Sequence, residues 1–481
     1  MSIIGRTELM DSSLRGEIEV VKALLNKGVE INAVDCQSFT ALILAAQEGR
    51  LAVVQALLAR EEIDINHKTI FGCTALWMAC QDGHLAVVLT LLAKDGIKIN
   101  VKDKQDKATE LMIACKGSYI DIVKALLAKD EIEINSTCDE GFTALMIASQ
   151  YGYVDVVQAL RSKKSCRFNI KNKDGFTALM IASQNGHLAV VNALLAKRGI
   201  DINATNEEGA AALTLALFYR HIDVFMVLLA QEEIDFNVMA KNGATALTIA
   251  SKNGDIDVIL ALQAKAGIDI NAKAPDGATA LITASSFGKI EVVLALLAKE
   301  GIDINAKAPD GSTALICASE HGYIKAVQAL LAMAGININS KKNDGFTALS
   351  CAAQNGHLAA VDALLAVDGI DINVKINGGS TALITAAEHG HIEIVKALLA
   401  KDEIDINAVV ARNDGWNALM FAAQNGHLEI VKHLVAKRID FKAKGSSGTT
   451  AVKIAFKKKR YKILLCLVKT NLLRRIFISM F

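Results

Sequence analysis

Apolar positions fall along this chain in short bursts at helical spacing, separated by glycine or by small clusters of turn residues. From Thr177, TALMIASQN carries apolar residues one helical turn apart and stops at Gly186. HLAVVNALLAK follows, with Leu188, Val190, Val191, Leu194 and Leu195 on one face. A third piece, GIDINATNEEG, sets turn residues around one Ile-x-Ile alternation and reads as a loop or hairpin. The pattern predicts two short helices and a hairpin loop. Thr177 is placed to N-cap the first helix, because its hydroxyl can accept an otherwise unpaired backbone N–H. Gly186 suits a left-handed C-cap, where a Cβ would be penalised. Each helix has about 9–11 residues, below the roughly 12–15 that a lone helix needs for marginal stability. One such unit cannot stand alone.

The unit recurs. The string TAL, with minor variants, begins at Thr7, Thr40, Thr74, Thr109, Thr143, Thr177, Ala211, Thr245, Thr279, Thr313, Thr347, Thr381, Asn417 and Thr450. The steps are 33, 34, 35, then 34 eight times, then 36 and 33 residues. Some copies are nearly identical: GFTALMIASQ stands at 141–150 and 175–184, and GIDINAKAPDG at 267–277 and 301–311. A fixed period of this length marks a stacked repeat. In such a stack each copy buries its apolar face against the next, and stability sums over neighbour interfaces.

These residues resemble the ankyrin repeats. The shared pattern is Asp-Gly-x-Thr-x-Leu-x-x-Ala, then Gly-His-x-x-Val-Val-x-x-Leu-Leu, then Gly-x-Asp-x-Asn-Ala, seen in Asp174 to Ala204 and in Asp344 to Val374. The resemblance implies an all-α ankyrin-repeat solenoid, helix-turn-helix plus hairpin loop per repeat, as a single elongated curved array. At about 10 Å per layer such an array would be on the order of 130 Å long. Residues 1–39 would form an N-terminal capping repeat, 40–449 twelve internal repeats, 450–470 a basic C-terminal cap, and 471–481 a tail. In the first repeat Asp11 and Ser12 stand where Ile and Ala occur elsewhere, which predicts a polar outer face. The family's Thr-Pro-Leu-His has become Thr-Ala-Leu-Met or Thr-Ala-Leu-Ile. Its histidine is replaced by Met112, Met146, Met180, Ile282 or Ile316, so a hydrogen bond is expected to be exchanged for packing. The Asn of the Asp-Ile-Asn strings (Asn66, Asn203, Asn271) reads as structural by its phase, and the resemblance implies that it can be hydroxylated.

The resemblance also implies that partner proteins are gripped by the hairpin tips and first helices, on the concave side. The residue after the hairpin glycine varies: Phe142, Phe176, Phe346 and Trp416, with Phe39 at the same phase, but Ala210, Ala244, Ala278 and Ser312 between them. Exposed aromatics are common interface anchors, and packing on a neighbouring hairpin is the alternative reading. A second variable pair precedes the turn glycine, for example Tyr151, Phe287 and His321.

Composition and charge alter this picture at three points. Length 481 would ordinarily mean about three domains, but the repeat removes that inference. Two prolines exclude Pro-rich linkers, collagen and mucin-like stalks. A mean hydropathy of +0.32 raises the question of a membrane. The longest uncharged run, Gly175 to Ala196, is long enough to span a bilayer, yet its middle reads Ser183-Gln184-Asn185-Gly186-His187. The expectation is a protein neither secreted nor transmembrane, cytoplasmic, with nuclear or peripheral membrane association as variants. The N-terminus shows no signal peptide. Nine scattered cysteines without a CxxC pair fit a reducing compartment better than a disulfide framework or zinc site.

No phosphate loop, GxSxG, HExxH or EF-hand loop is present, so no catalytic residue, metal site, cofactor or small-molecule substrate is expected, and the chain is read as not an enzyme. Six histidines, His84, His187, His221, His357, His391 and His427, share one position and read as structural. Residues 453–481 hold nine Lys or Arg and no acid, which leaves the rest of the chain net acidic. Lys457, Lys458, Lys459, Arg460 and Lys462, with Arg474 and Arg475 in the tail NLLRRIFISMF, are candidates for an anionic partner. Sequence-specific nucleic-acid binding is not expected, since no groove-reading motif appears. The leading functional reading is an intracellular protein-interaction scaffold or adaptor. The alternative is a tether whose basic C-terminal end binds an anionic membrane surface while the array holds a partner.

Overall fold

A computed structural model describes residues 5–240, 243–274, 276–411 and 414–479, with side chains as far as Thr470. The chain divides into two compact bodies, 1–241 and 242–481. Among the described residues the first body holds fourteen helices, from Glu8–Arg15 to Ile222–Leu229, and the second another fourteen, from Ala246–Asn253 to Tyr461–Ser479. Helices come in pairs. Within each body the first helix of a repeat packs on the first helix of the next, and second helices pack on second helices.

Burial explains why short helices persist. In Ala41–Gln47 every residue from Ala41 to Ala46 is buried, because this helix is sandwiched between its counterparts on both sides. In Leu51–Leu58 only Val53, Val54, Leu57 and Leu58 are buried, the single apolar stripe of a helix covered on one side. The threonines cap as predicted: Thr40 Oγ1 accepts Ile43 N–H at 3.3 Å and Thr177 Oγ1 accepts Met180 N–H at 3.3 Å. The turn between helices needs a positive φ, 73° at Gly186. Ser118, Arg220 and Lys459 hold the same position at 59°, 65° and 58°.

Two side-chain ladders join successive repeats. Asn305 donates to Gly335 O at 2.9 Å and accepts Asn337 N–H at 2.8 Å; Asn66, Asn100, Asn135, Asn169, Asn203 and Asn271 repeat the arrangement. The histidines form the second ladder. His187 Nε2 bonds Gln150 O at 2.9 Å, and its ring lies against Gly152 of the preceding repeat. His84, His357, His391 and His427 do likewise, while Arg50 and Arg460 reach the same kind of carbonyl from the same position.

Several expectations need correction. The hydrogen bond thought lost with the family histidine survives in part. Thr347 N–H donates to Ser350 Oγ at 2.7 Å, Thr245 N–H to Thr248 Oγ1 at 2.9 Å, and Thr177 N–H to the Met180 sulfur at 3.4 Å. Met112, Met146, Ile282 and Ile316 are buried. In the first repeat Ser12 is buried, so the polar outer face reduces to half-exposed Asp11. The hairpins are mostly turns. Among the described residues, one short antiparallel pair, Val409–Val410 with Trp416–Asn417, and one bridge, Thr205 to Ala211, are extended. The last helix runs Tyr461–Ser479, through the expected boundary at 470. No helix among the described residues is long and apolar enough to cross a membrane.

Candidate functional site

In the first body, helices Glu110–Lys116 and Ala144–Tyr151 are successive first helices, each entered from its own hairpin. Asp103 folds the first hairpin tip, its Oδ1 accepting the N–H groups of Gln105, Asp106 and Lys107 at 2.9, 2.7 and 3.1 Å. Lys107 completes the tip at φ 59°. The next tip is held to it by Asp139 N–H, which donates to Asp106 O at 2.7 Å. Between the two layers lies a groove of about 410 Å³. Ala108, Met112, Ile113, Phe142, Ile147 and Tyr151 give it an apolar lining, and Asp106, Asp139, Glu140 and Lys116 add charge.

Two predicted residues meet in this groove. Phe142 is half-buried, and Tyr151 is 45% exposed with its ring stacked on Tyr153 at 5.7 Å. Asp106, Asp139 and Glu140 are exposed, and none forms an ion pair with another described residue. Cys138 stands at the tip, half-buried and unpaired.

The other candidates are dispersed. Phe39 is only 9% exposed and packs inside, which overturns its expected exposure. Phe176 is half-buried, and its N–H is held by Asn172 at 2.7 Å. Trp416 is half-buried, edge-on to Phe421 at 5.3 Å. Phe287 is exposed, with Lys252 Nζ 5.6 Å from its ring centre. Phe346 lines a smaller groove of about 190 Å³ in the second body, with Lys342, Asp344, Glu320 and Cys351. Lys457, Lys458, Lys459, Arg460 and Lys462 are exposed beside exposed Phe456, Tyr461, Leu465 and Val468. Arg460 is partly committed, its Nε donating to Gln424 O at 3.4 Å. The side chains of Arg474 and Arg475 lie outside the described residues.

Two notable groups escape the sequence reading. Phe218 and Tyr219 end the helix Ala212–Phe218 and its turn, at 63% and 47% exposure. They stand where the preceding repeat has Gln184-Asn185 and the following one Lys252-Asn253, a polar-to-aromatic change visible in the sequence. Glu110 is fully buried, where most repeats have alanine after the threonine. Burial pushes its carboxyl up to about 7, although backbone N–H donors and Lys68 pull the other way. Burial likewise raises the thiols of Cys115 and Cys351, the latter to about 12. Among the described residues no group of three His, Cys, Asp or Glu is placed to hold a metal ion.

Comparison with known proteins agrees with this architecture. A family model described as ankyrin repeats (3 copies) matches residues 9–103, 111–206, 164–240, 199–274, 272–342, 306–376, 333–410 and 405–474. Among solved structures, the human ASB11 ankyrin repeat domain is similar at 26% identity, over 48% of this chain and 100% of that one, with a TM-score of 0.41. Threonine caps, paired helices and ladders recur at the repeat period, and with the family model running over nearly all of its length this chain belongs to the ankyrin-repeat family.

Proposed function

We propose that this chain is a protein-interaction array that grips its partner with the hairpin tips and first helices. The observation carrying this reading is the groove at Phe142 and Tyr151, where large side chains stay in contact with water on a frame whose caps and ladders are internally satisfied. A soluble surface gains nothing from an exposed ring unless a partner covers it, and Tyr and Trp dominate the residues that do most in interfaces. Within the first body the groove is built on helices packed against both neighbours, so little conformational entropy is lost when contacts form. Nine unpaired cysteines support a reducing, intracellular setting. The reading is a binding module.

Proximity labelling and pull-down with the intact chain and with the double variant Phe142→Ala, Tyr151→Ala test it. Loss of a partner with an unchanged melting profile supports this face. An unchanged set of partners refutes it, and an unfolded variant would place both rings in the core.

A second reading rests on the last repeat, where five exposed bases adjoin exposed Tyr461, Leu465 and Val468. Each base near an anionic bilayer adds about 1 kcal/mol. Here the array is a tether, and sedimentation with phosphatidylserine vesicles should lose the chain when Lys457, Lys458 and Lys462 are changed to Glu. Retention of that variant on the vesicles eliminates the tether.

A further inference from the structure

The groove at Phe142 has a counterpart at Phe346, 204 residues along the chain, which is six steps of 34. Four polar positions are in phase, Asp106 with Asp310, Asp139 with Asn343, Glu140 with Asp344 and Gln150 with Gln354, and of these Asp344 and Gln354 line the second groove. Their hairpin tips are joined by the same bond, Asp139 N–H to Asp106 O at 2.7 Å in one and Asn343 N–H to Asp310 O at 2.7 Å in the other. Yet the first measures about 410 Å³ and the second about 190 Å³.

One substitution separates them most. The second groove holds Lys342 where the first has Cys138. The Lys342 ammonium lies 3.5 Å from Glu320 and 3.8 Å from Asp310, and its side chain is only 17% exposed. The chain's own lysine therefore lines that groove and answers its carboxylates. At Cys138 the side chain is short, and the carboxylates of Asp106, Asp139 and Glu140 form no ion pair with another described residue, with Lys116 standing on the helix side of the groove. The occupied copy shows what the open one is shaped and charged to receive.

We propose that the Phe142 groove seats a lysine or arginine side chain from an extended segment of a partner protein, in the place that Lys342 takes in the other copy. This rests on the interaction reading above and adds the chemistry of the partner. Lys116 stands where the second groove has Glu320, so the cation sits on the hairpin side, by Asp106 and Glu140, away from Lys116. Its aliphatic stem and an adjoining apolar residue cover Ile113, Phe142 and Ile147. Tyr151, in place of Asn355, adds a ring face that attracts a cation. The second groove, already satisfied, takes no such residue.

The test uses the full chain and a phage-displayed library of short peptides, and the best recovered peptide, fluorescently labelled, is the probe for anisotropy. The expected peptides carry Lys or Arg beside an apolar residue and weaken as salt rises. Cys138→Lys, which transplants the cation of Lys342, should weaken the probe by roughly tenfold or more, and Lys116→Glu should tighten it severalfold. Should Cys138→Lys fail to fold, Asp106→Asn with Glu140→Gln, both exposed, is expected to weaken the probe to a similar extent. Recovery of peptides without a basic residue, recovery of none, or equal binding to wild type and the charge variants overturns the proposal. Binding lost in Tyr151→Ala but kept in Cys138→Lys leaves the interaction face standing and removes only the cation seat.

Discussion

Glu110 turns its carboxylate onto the backbone of Val101, whose N–H reaches its two oxygens at 3.2 and 3.1 Å with no part of the residue exposed. Folding thus takes a carboxylate out of water, and the backbone N–H groups of Val101, Asn100 and Glu110 offset only part of that cost, which a neutral carboxyl largely avoids.

The folded value of about 7 lies above the ordinary 4.5. Between those two the folded chain keeps a proton that the unfolded chain has lost, so stability falls as pH rises through this window and levels off above it. The full effect is bounded at about 3 kcal/mol. Glu110→Gln should remove the slope, read as amide exchange at Val101 and as urea unfolding across the same window. An identical slope in the variant would sink the assignment to Glu110.

Gly152 and His187 meet across the seam between successive repeats. Gly152 has φ 77°, and a Cβ there would meet His187 Nδ1 at 2.6 Å. Gly152→Ala should cost about 1–2 kcal/mol for the left-handed backbone and more for displacing the ring. In the His187→Ala background only the backbone part should remain. Additive costs in this double-mutant cycle would show that the ring gives way freely.

Asn305→Ala removes one donor and one acceptor between neighbouring hairpins. A loss of about 1 kcal/mol is expected because the site is partly open to water, with faster exchange at the Asn337 amide. Unchanged protection there would mean that water replaces the ladder without cost.

Ser118 occupies the turn position at φ 59° where glycine is the rule. Ser118→Gly should stabilise the array by about 1 kcal/mol. The repeats holding Ser118 and Arg220 are also expected to exchange their amides faster than their neighbours, which hydrogen exchange along the chain can read. Uniform protection would refute that weakness.

Much of the fold was legible because it is a local, repeated property. Thr177 must cap, Gly186 must turn and Val190, Val191 and Leu194 must face inward in any chain that stacks this unit. Even exceptions were readable, since Ser118, Arg220 and Lys459 hold the expected left-handed turn. The site was legible only in outline. Phe39 and Phe142 share one phase of the repeat, yet the first is buried and the second lines a groove. Tyr219, with Phe218 beside it, stands in the same row as Tyr151 and Phe287, before the turn, and all four rings meet water.

The sequence by itself determined the period, the caps, the turns and the face that each helix buries, since these depend on residues within one turn or one repeat. Tertiary structure decided which aromatics meet water, why burial lifts the Glu110 carboxyl, and why one groove is answered by Lys342 while its twin at Cys138 stands open. Those outcomes depend on side chains some thirty residues apart that meet only when two layers stack, and exposure and charge pairing are properties of that meeting.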